Sequence, residues 1–446
     1  MGNRIVGTFW LLAGSLLVSS VASADPKVGL DARLAMPVMK GGEKQKNYLR
    51  VALQGCKPEP NQTRTPVNVA FVIDRSGSMN GERIAQARAA ASMAVNRLNQ
   101  RDVASVVVFD NVADVLMQAQ PVHDPALFDT AIRQIHVRGS TAIHAGVLVG
   151  ANEVRRYHEL GRLNRVVLLS DGGANVGPSR PADFAALGSA LLREGISVST
   201  IGLGLGYNED LMLALARAGD GNHAFAREPT DLVQIFNKEF DDVLASCAQT
   251  VSIDIELKPG VQVVKALSRD GSIESGRARF LMNQVYAATE HYVLMEIEVD
   301  KSLAAGEQEL GIVKVAYTLP GSGARQTLDA KVLARLGATD AEVKAGVDNR
   351  VGEAVIEQIT RGRTQEAIAL RDQGKTEEAR QLLLQNAAEI NSFAMSVPGV
   401  SQQLRDLGAQ YNALGAFAPA SPSQLGMERK VLRQLDTTRA GSATRY

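Results

Sequence analysis

From residue 67 onward the chain alternates between two kinds of apolar pattern. "VNVAFVID" (67–74), "VASVVVFD" (103–110), "NRVVLLSDG" (164–172) and "ISVSTIGLG" (196–204) are apolar almost throughout, as strands covered on both faces are. Between them, "GERIAQARAAASMAVNRL" (81–98), "PALFDTAIRQI" (125–135), "TAIHAGVLVGANEVRRY" (141–157), "PADFAALGSALLREG" (181–195) and "NEDLMLALARAG" (208–219) carry helical spacing. "ADVLMQAQ" (113–120) alternates like an edge strand, "HAFA" (223–226) reads as a short strand, and "DLVQIFNKEFDDVLA" (231–245) as a closing helix. Strands and helices in alternation predict an α/β fold with a doubly wound parallel sheet, placed at 66–246.

The flanks follow a different rule. Residues 25–65 contain "VGLDARLAMPV" and "NYLRVALQG", and 247–336 contain "TVSIDIEL", "VQVVKAL", "RARFLMN", "HYVLMEIEVD", "LGIVKVAYTL" and "TLDAKVLARL". Several of these alternate and are punctuated by turn residues, which predicts one antiparallel β-sandwich into which the α/β unit is inserted. From 337 to 446 the pattern is helical, with a small-residue linker at 415–425, a short basic helix and a loose tail. "GKT" at 374–376 lacks the first glycine of a phosphate loop, since Ala369 stands there, and reads as a helix corner.

Bulk properties narrow the function. The 446 residues carry net charge zero, which argues against nucleic-acid binding and polybasic membrane attachment. Residues 1–24 have one Arg, an apolar stretch and Ala22-Ser23-Ala24 before Asp25. That is the layout of a cleaved secretory signal, with an uncleaved anchor as the alternative. No later run is long and apolar enough to span a bilayer. The expectation is a periplasmic or secreted protein without a transmembrane segment in its mature chain. Cys56 and Cys247 are the only cysteines. They fall at the entry and exit of the insert, so a disulfide stapling its neck is expected, two separate buried thiols being the alternative.

Ligands of an open parallel sheet gather at the carboxyl ends of its strands. Three polar clusters should meet there: Asp74, Ser76 and Ser78 in D-x-S-x-S, Gly139-Ser140-Thr141, and Ser170-Asp171-Gly172. Every second side chain of a locally extended D-x-S-x-S points the same way, and Gly77 permits a tight backbone turn beneath a bound ion. Two carboxylates and three hydroxyls form an all-oxygen set suited to a hard cation. The low charge leans toward Mg²⁺, with Ca²⁺ or Mn²⁺ as alternatives. Arg75 reads as a solvated side chain or a clamp for an anionic ligand, and Ser78 or Asn80 as a cap for the next helix.

D-x-S-x-S at 74–78, "GSTAIHAG" at 139–146 and "LLSDGGAN" at 168–175 together resemble the von Willebrand factor type A domain and its metal ion-dependent adhesion site. Segment 201–236 resembles bacterial type A proteins of the calcium-activated chloride-channel-like group. The resemblance implies that Asp74, Ser76, Ser78, Thr141 and Asp171 hold the ion directly or through water. It also implies that an Asp or Glu carboxylate of a protein partner completes the shell. The rival readings are an envelope scaffold with a purely structural metal and a metal-dependent hydrolase using His136 or His144 as base. The expectation is no enzyme and no catalytic residue.

Overall fold

The computed structural model describes residues 28–57, 65–203 except 160 and 172, 208–226, 245–416 except 275 and 398, and a few positions among 231–235, 429–433 and 444–445. The expected signal segment, most of the closing helix, the 415–425 linker beyond residue 416 and most of the tail lie outside the described residues.

Strands β1 (Gly29–Leu34), β2 (Val38–Met39) and β3 (Gln45–Gln54) precede the α/β unit. Within it run β4 (Val67–Asp74), α1 (Glu82–Asn96), β5 (Val103–Phe109), β6 (Ala113–Pro121), α2 (Pro125–Arg133), α3 (Ile143–Arg155), β7 (Leu163–Ser170), α4 (Pro181–Arg193), β8 (Ile196–Leu203), α5 (Glu209–Ala218) and β9 (His223–Ala226). Their sheet has the order β6-β5-β4-β7-β8-β9, parallel except for β6 at the edge. The order reverses between β4 and β7, which places the switch point of a doubly wound sheet where Asp74 and Ser170 end their strands.

Both faces of this sheet are covered, which is why its central strands are apolar without alternation. On one face Val67, Val69, Phe71 and Ile73 pack with Ala87, Ala91 and Val95 of α1 and Phe128 and Ile132 of α2. On the other face Ala70 and Val72 pack with Ile143, Val147 and Ala151 of α3, Phe184 of α4 and Leu215 of α5.

The chain then returns to the sandwich through β10 (Ser246–Leu257), β11 (Val261–Ala266), β12 (Ser272–Glu274), β13 (Arg277–Tyr286), β14 (Thr289–Val299), β15 (Gly306–Thr318) and β16 (Arg325–Leu336). One sheet has the order β1-β3-β14-β11 and the other β12-β13-β10-β15-β16-β2. Strands from before and after the α/β unit therefore share both sheets. Leu49, Val51 and Leu53 of β3 bury against Ile253, Phe280 and Val315 from the opposite sheet in one core. All pairings are antiparallel except β16 with β2.

Cys56 and Cys247 form a disulfide across a separation of 191 residues, with Cα atoms 5.8 Å apart. In the chain-entropy account, closing a loop of that size contributes about 5 kcal/mol. A second junction lies at the base of the α/β sheet. Buried Arg165 of β7 donates to Ser199 of β8 and reaches across to Gln284 and the Tyr286 hydroxyl of β13, at 3.1, 2.7 and 2.9 Å.

After the sandwich come a short helix, Asp340–Ala345, and then the longer helices Asn349–Asp372, Thr376–Ser396 and Gln402–Ala416. Asn349–Asp372 runs unbroken through Gly362. That glycine faces open solvent in mid-helix, where a missing side chain leaves no packing defect. Gly374, with φ +78°, makes the expected corner between two helices. Among the described residues no helix is long and apolar enough to cross a membrane.

Candidate metal centre

Asp74, Ser76, Thr141 and Asp171 are all at most 4% exposed, whereas Ser78 stands on the exposed rim. Backbone hydrogen bonds join the loops that carry them. Gly77 N–H donates to the Gly139 carbonyl at 3.0 Å, Arg138 N–H to the Arg75 carbonyl at 2.7 Å, and Ala142 N–H to the Asp110 carbonyl at 2.8 Å. The third loop closes on the second through Asn175. Thr141 N–H donates to Asn175 Oδ1 at 2.7 Å, and Asn175 N–H donates back to the Thr141 carbonyl at 3.1 Å. The structure thus brings together all five residues that the sequence marked.

Each carboxylate is oriented. Asp74 Oδ1 accepts from Ser76 N–H at 2.8 Å and Oδ2 from the Ser170 hydroxyl at 2.5 Å. Burial pushes Asp74 up to about 6, against the opposing pull of the Ser170 and Ser76 hydrogen bonds, and the nearby Asp171 adds to the rise. Ser76 Oγ and Ser78 Oγ are 3.0 Å apart. Asp171 Oδ2 accepts from Arg83 Nη1 at 3.0 Å, while its Oδ1 is buried with no hydrogen-bond partner among the described residues. An orphaned buried carboxylate oxygen carries an uncompensated cost of desolvation. Beside it lie neutral oxygens and a second carboxylate, so the residues present fit a small hard cation. Gly172 lies outside the described residues.

Two sequence expectations are corrected, and one is refined. Gly77 makes the expected tight turn, opening the 3-10 turn Gly77–Met79, but without a positive φ that would require glycine. The demand falls on Gly139, at φ +70°, where a Cβ would sit 2.4 Å from Asn111 Oδ1. Neither Ser78 nor Asn80 caps α1, whose N-cap is Gly81 with no side-chain cap. Arg75 is neither solvated nor poised for a ligand. Its guanidinium donates to Asp110 at 2.6 Å and Asp114 at 2.5 Å. Asp110 also accepts from Arg138 at 2.7 Å. Burial alone would raise the Asp110 carboxyl, but hydrogen bonds from Arg138, the Val112 N–H and Arg75 outweigh it and bring it down to about 2.

Sequence reasoning missed Arg83, Asp110, Asn111 and Asn175. Asn175 stood inside a quoted motif without a role, and Asp110 ends a strand at the same sheet edge, as Asp74 does. Nothing local distinguishes Arg83 from other helical arginines. His144 packs edge-on against Phe184 at 5.9 Å, and burial lowers its proton affinity.

A doubly wound sheet with three polar loops meeting at its switch point narrows the class of domain to which residues 66–246 belong. Residues 68–238 match the family model of the von Willebrand factor type A domain, and this part of the chain is such a domain. Type A domains commonly mediate metal-dependent protein interaction. The chain is 27% identical over 64% of its length to the uncharacterised protein sll0103 of Synechocystis sp., covering 69% of that protein. It is 26% identical over 48% of its length to YfbK of Escherichia coli, covering 38% of that protein. It is 31% identical over 36% of its length to inter-alpha-trypsin inhibitor heavy chain H3 of Rattus norvegicus, of which it spans only 19%. Among solved structures, a von Willebrand factor type A protein from Catenulispora acidiphila superposes with TM-score 0.73 at 16% identity, over 94% of this chain and 98% of that one. The ArnB paralog VWA2 from Sulfolobus acidocaldarius gives 0.63 at 17%, over 93% and 99%. The shared fold therefore extends beyond the type A domain to the sandwich and helices.

Proposed function

We propose that the protein is an exported protein-binding module whose affinity for its partner depends on a divalent cation held by Asp74, Ser76, Ser78, Thr141 and Asp171. The observation that carries this reading is Asp171 Oδ1, buried without a hydrogen-bond partner among the described residues, in a cluster with the buried Asp74, Ser76 and Thr141. Mg²⁺ suits the set best, because two carboxylates among five oxygen donors give modest negative charge. When bound, such an ion acts as a Lewis acid that can accept a carboxylate oxygen. The chain's residues orient the donors: Ser76 and Ser170 fix both oxygens of Asp74, and Asn175 pins Thr141. Helices α1 and α3 begin beside these loops without side-chain caps, and the positive ends of their dipoles favour an incoming anion. The partner chemistry is an exposed Asp or Glu.

Export rests on the signal-like residues 1–24 and accords with the disulfide. The backbone bonds between the loops favour a ligand-facing ion over a purely structural one, because those bonds already hold the loops together. Crosslinking in the native envelope, followed by mass spectrometry, tests the reading. Partners captured by the wild type should be lost with chelator and in Asp74→Ala. Capture that survives both would place the binding surface elsewhere.

A further inference from the structure

Arg83 lies in the first turns of α1, outside the five donors. Its Nη1 donates at 3.0 Å to Asp171 Oδ2 and at 3.0 Å to the Ser78 carbonyl, so one guanidinium ties together two of the three loops. The two oxygens of Asp171 are therefore unlike. Oδ2 is neutralised by a fixed cation, and Oδ1 alone is free of protein partners among the described residues. Asp74 is similarly committed, with a donor on each oxygen.

Coordination chemistry gives this asymmetry a consequence. Ca²⁺ takes six to eight oxygens and readily uses both oxygens of a carboxylate, whereas Mg²⁺ takes six in a tight octahedron and uses one. A carboxylate held on one side by a guanidinium cannot turn both oxygens to an ion without breaking that pair. The positive charge also opposes any cation bound close by. We propose that Arg83 is the cation-selectivity residue of this site: by occupying Asp171 Oδ2 it limits Asp171 to one-oxygen coordination, disfavouring Ca²⁺ relative to Mg²⁺ and keeping binding of either ion modest. This rests on the five-donor reading of the site but asks a separate question of it.

The test uses the mature full-length chain and the metals alone. Mg²⁺ and Ca²⁺ affinities are measured by calorimetric titration for wild type, Arg83→Met and Arg83→Lys, and the unfolding temperature of each in chelator reports on folding. Met keeps the apolar stem without charge or donors, and Lys keeps the charge. In Arg83→Met both ions should bind more tightly, Ca²⁺ by about tenfold more than Mg²⁺, and Arg83→Lys should stay near the wild-type ratio. A ratio unchanged in Arg83→Met, or weaker binding of both ions there, overturns the selectivity role and leaves the five-donor site intact. Absence of binding in the wild type would instead overturn the site itself. If Arg83→Met does not fold, Arg83→Lys and Arg83→Gln carry the comparison, and a Gln ratio equal to that of wild type overturns the proposal.

Discussion

At the scale of single residues, the site depends on positions that are not donors. Gly139 is one of them. Its φ of +70° belongs to the left-handed region, and its missing Cβ makes room for Asn111 Oδ1, which accepts the Ser140 N–H. Gly139→Ala combines backbone strain with a clash and should cost about 1–3 kcal/mol of stability. Because Gly139 immediately precedes the Ser140-Thr141 pair, the same change should weaken ion binding. Denaturant unfolding and metal titration of this variant check both effects, and a stable variant with unaltered affinity would show that the loop adapts. The five residues proposed as donors could be singled out in the sequence because type A motifs place chemistry-bearing residues at fixed spacing. Arg83 and Asp110 were not. Their roles follow from where α1 and β5 come to rest in three dimensions, and neither residue has a local pattern to mark it.

At the scale of elements, continuous apolar runs were the most readable signal. β4 occupies 67–74 as expected, since all eight of its residues are buried and six of them are apolar. β10 begins at Ser246 rather than near 250, because Ser246 and Gln249 are buried polar residues that hydropathy alone reads as loop. β12 was not anticipated, as its three residues are all exposed and a single isoleucine, Ile273, makes no apolar pattern. Helix α3 links packing to the site, since it starts two residues after Thr141. Its Gly146 and Gly150 face the sheet so closely that a Cβ would lie 2.6 Å from Phe109 and 2.4 Å from Val72. Gly150→Leu should therefore push α3 outward, cost about 1–3 kcal/mol or more by overpacking, and lower metal affinity through Thr141. A loss of stability without any change in affinity would uncouple the helix from the loop it follows.

At the scale of the whole molecule, the type A domain is fastened to the sandwich by the disulfide and by buried polar contacts. His291 of β14 sits in this polar region, with its ring 5.8 Å from that of Tyr286 and Nε2 buried without a hydrogen bond among the described residues. Burial lowers it to about 4, and Arg269 adds to the fall against the opposing pull of Asp220 and Glu290. The group is thus neutral in the folded protein, whereas the unfolded chain takes up a proton below about 6.5. Its stabilising contribution is complete above that pH and is lost as the pH falls toward 4. Asp74, raised by burial, works in the opposite direction between about 6 and its unfolded value. The comparison that isolates the histidine is His291→Gln against wild type: the variant should lose less stability between pH 7 and 4.5 in chemical denaturation, and an identical slope would assign the pH dependence to other groups. The insertion itself was legible because strands of sandwich character flank the α/β pattern on both sides. Which strands pair was not, since pairing across an insert leaves no local signal.

The central claim is that three loops at the switch point form one cation site. Its most direct test is thermal and denaturant unfolding of the mature chain in chelator and in increasing Mg²⁺ or Mn²⁺, with Asp74→Ala and Asp171→Ala in parallel. The account predicts stabilisation that grows with metal, about 2.7 kcal/mol at a hundredfold excess over the dissociation constant, and none in either variant. Wild-type protein indifferent to both ions, or variants stabilised to the same extent, would contradict it.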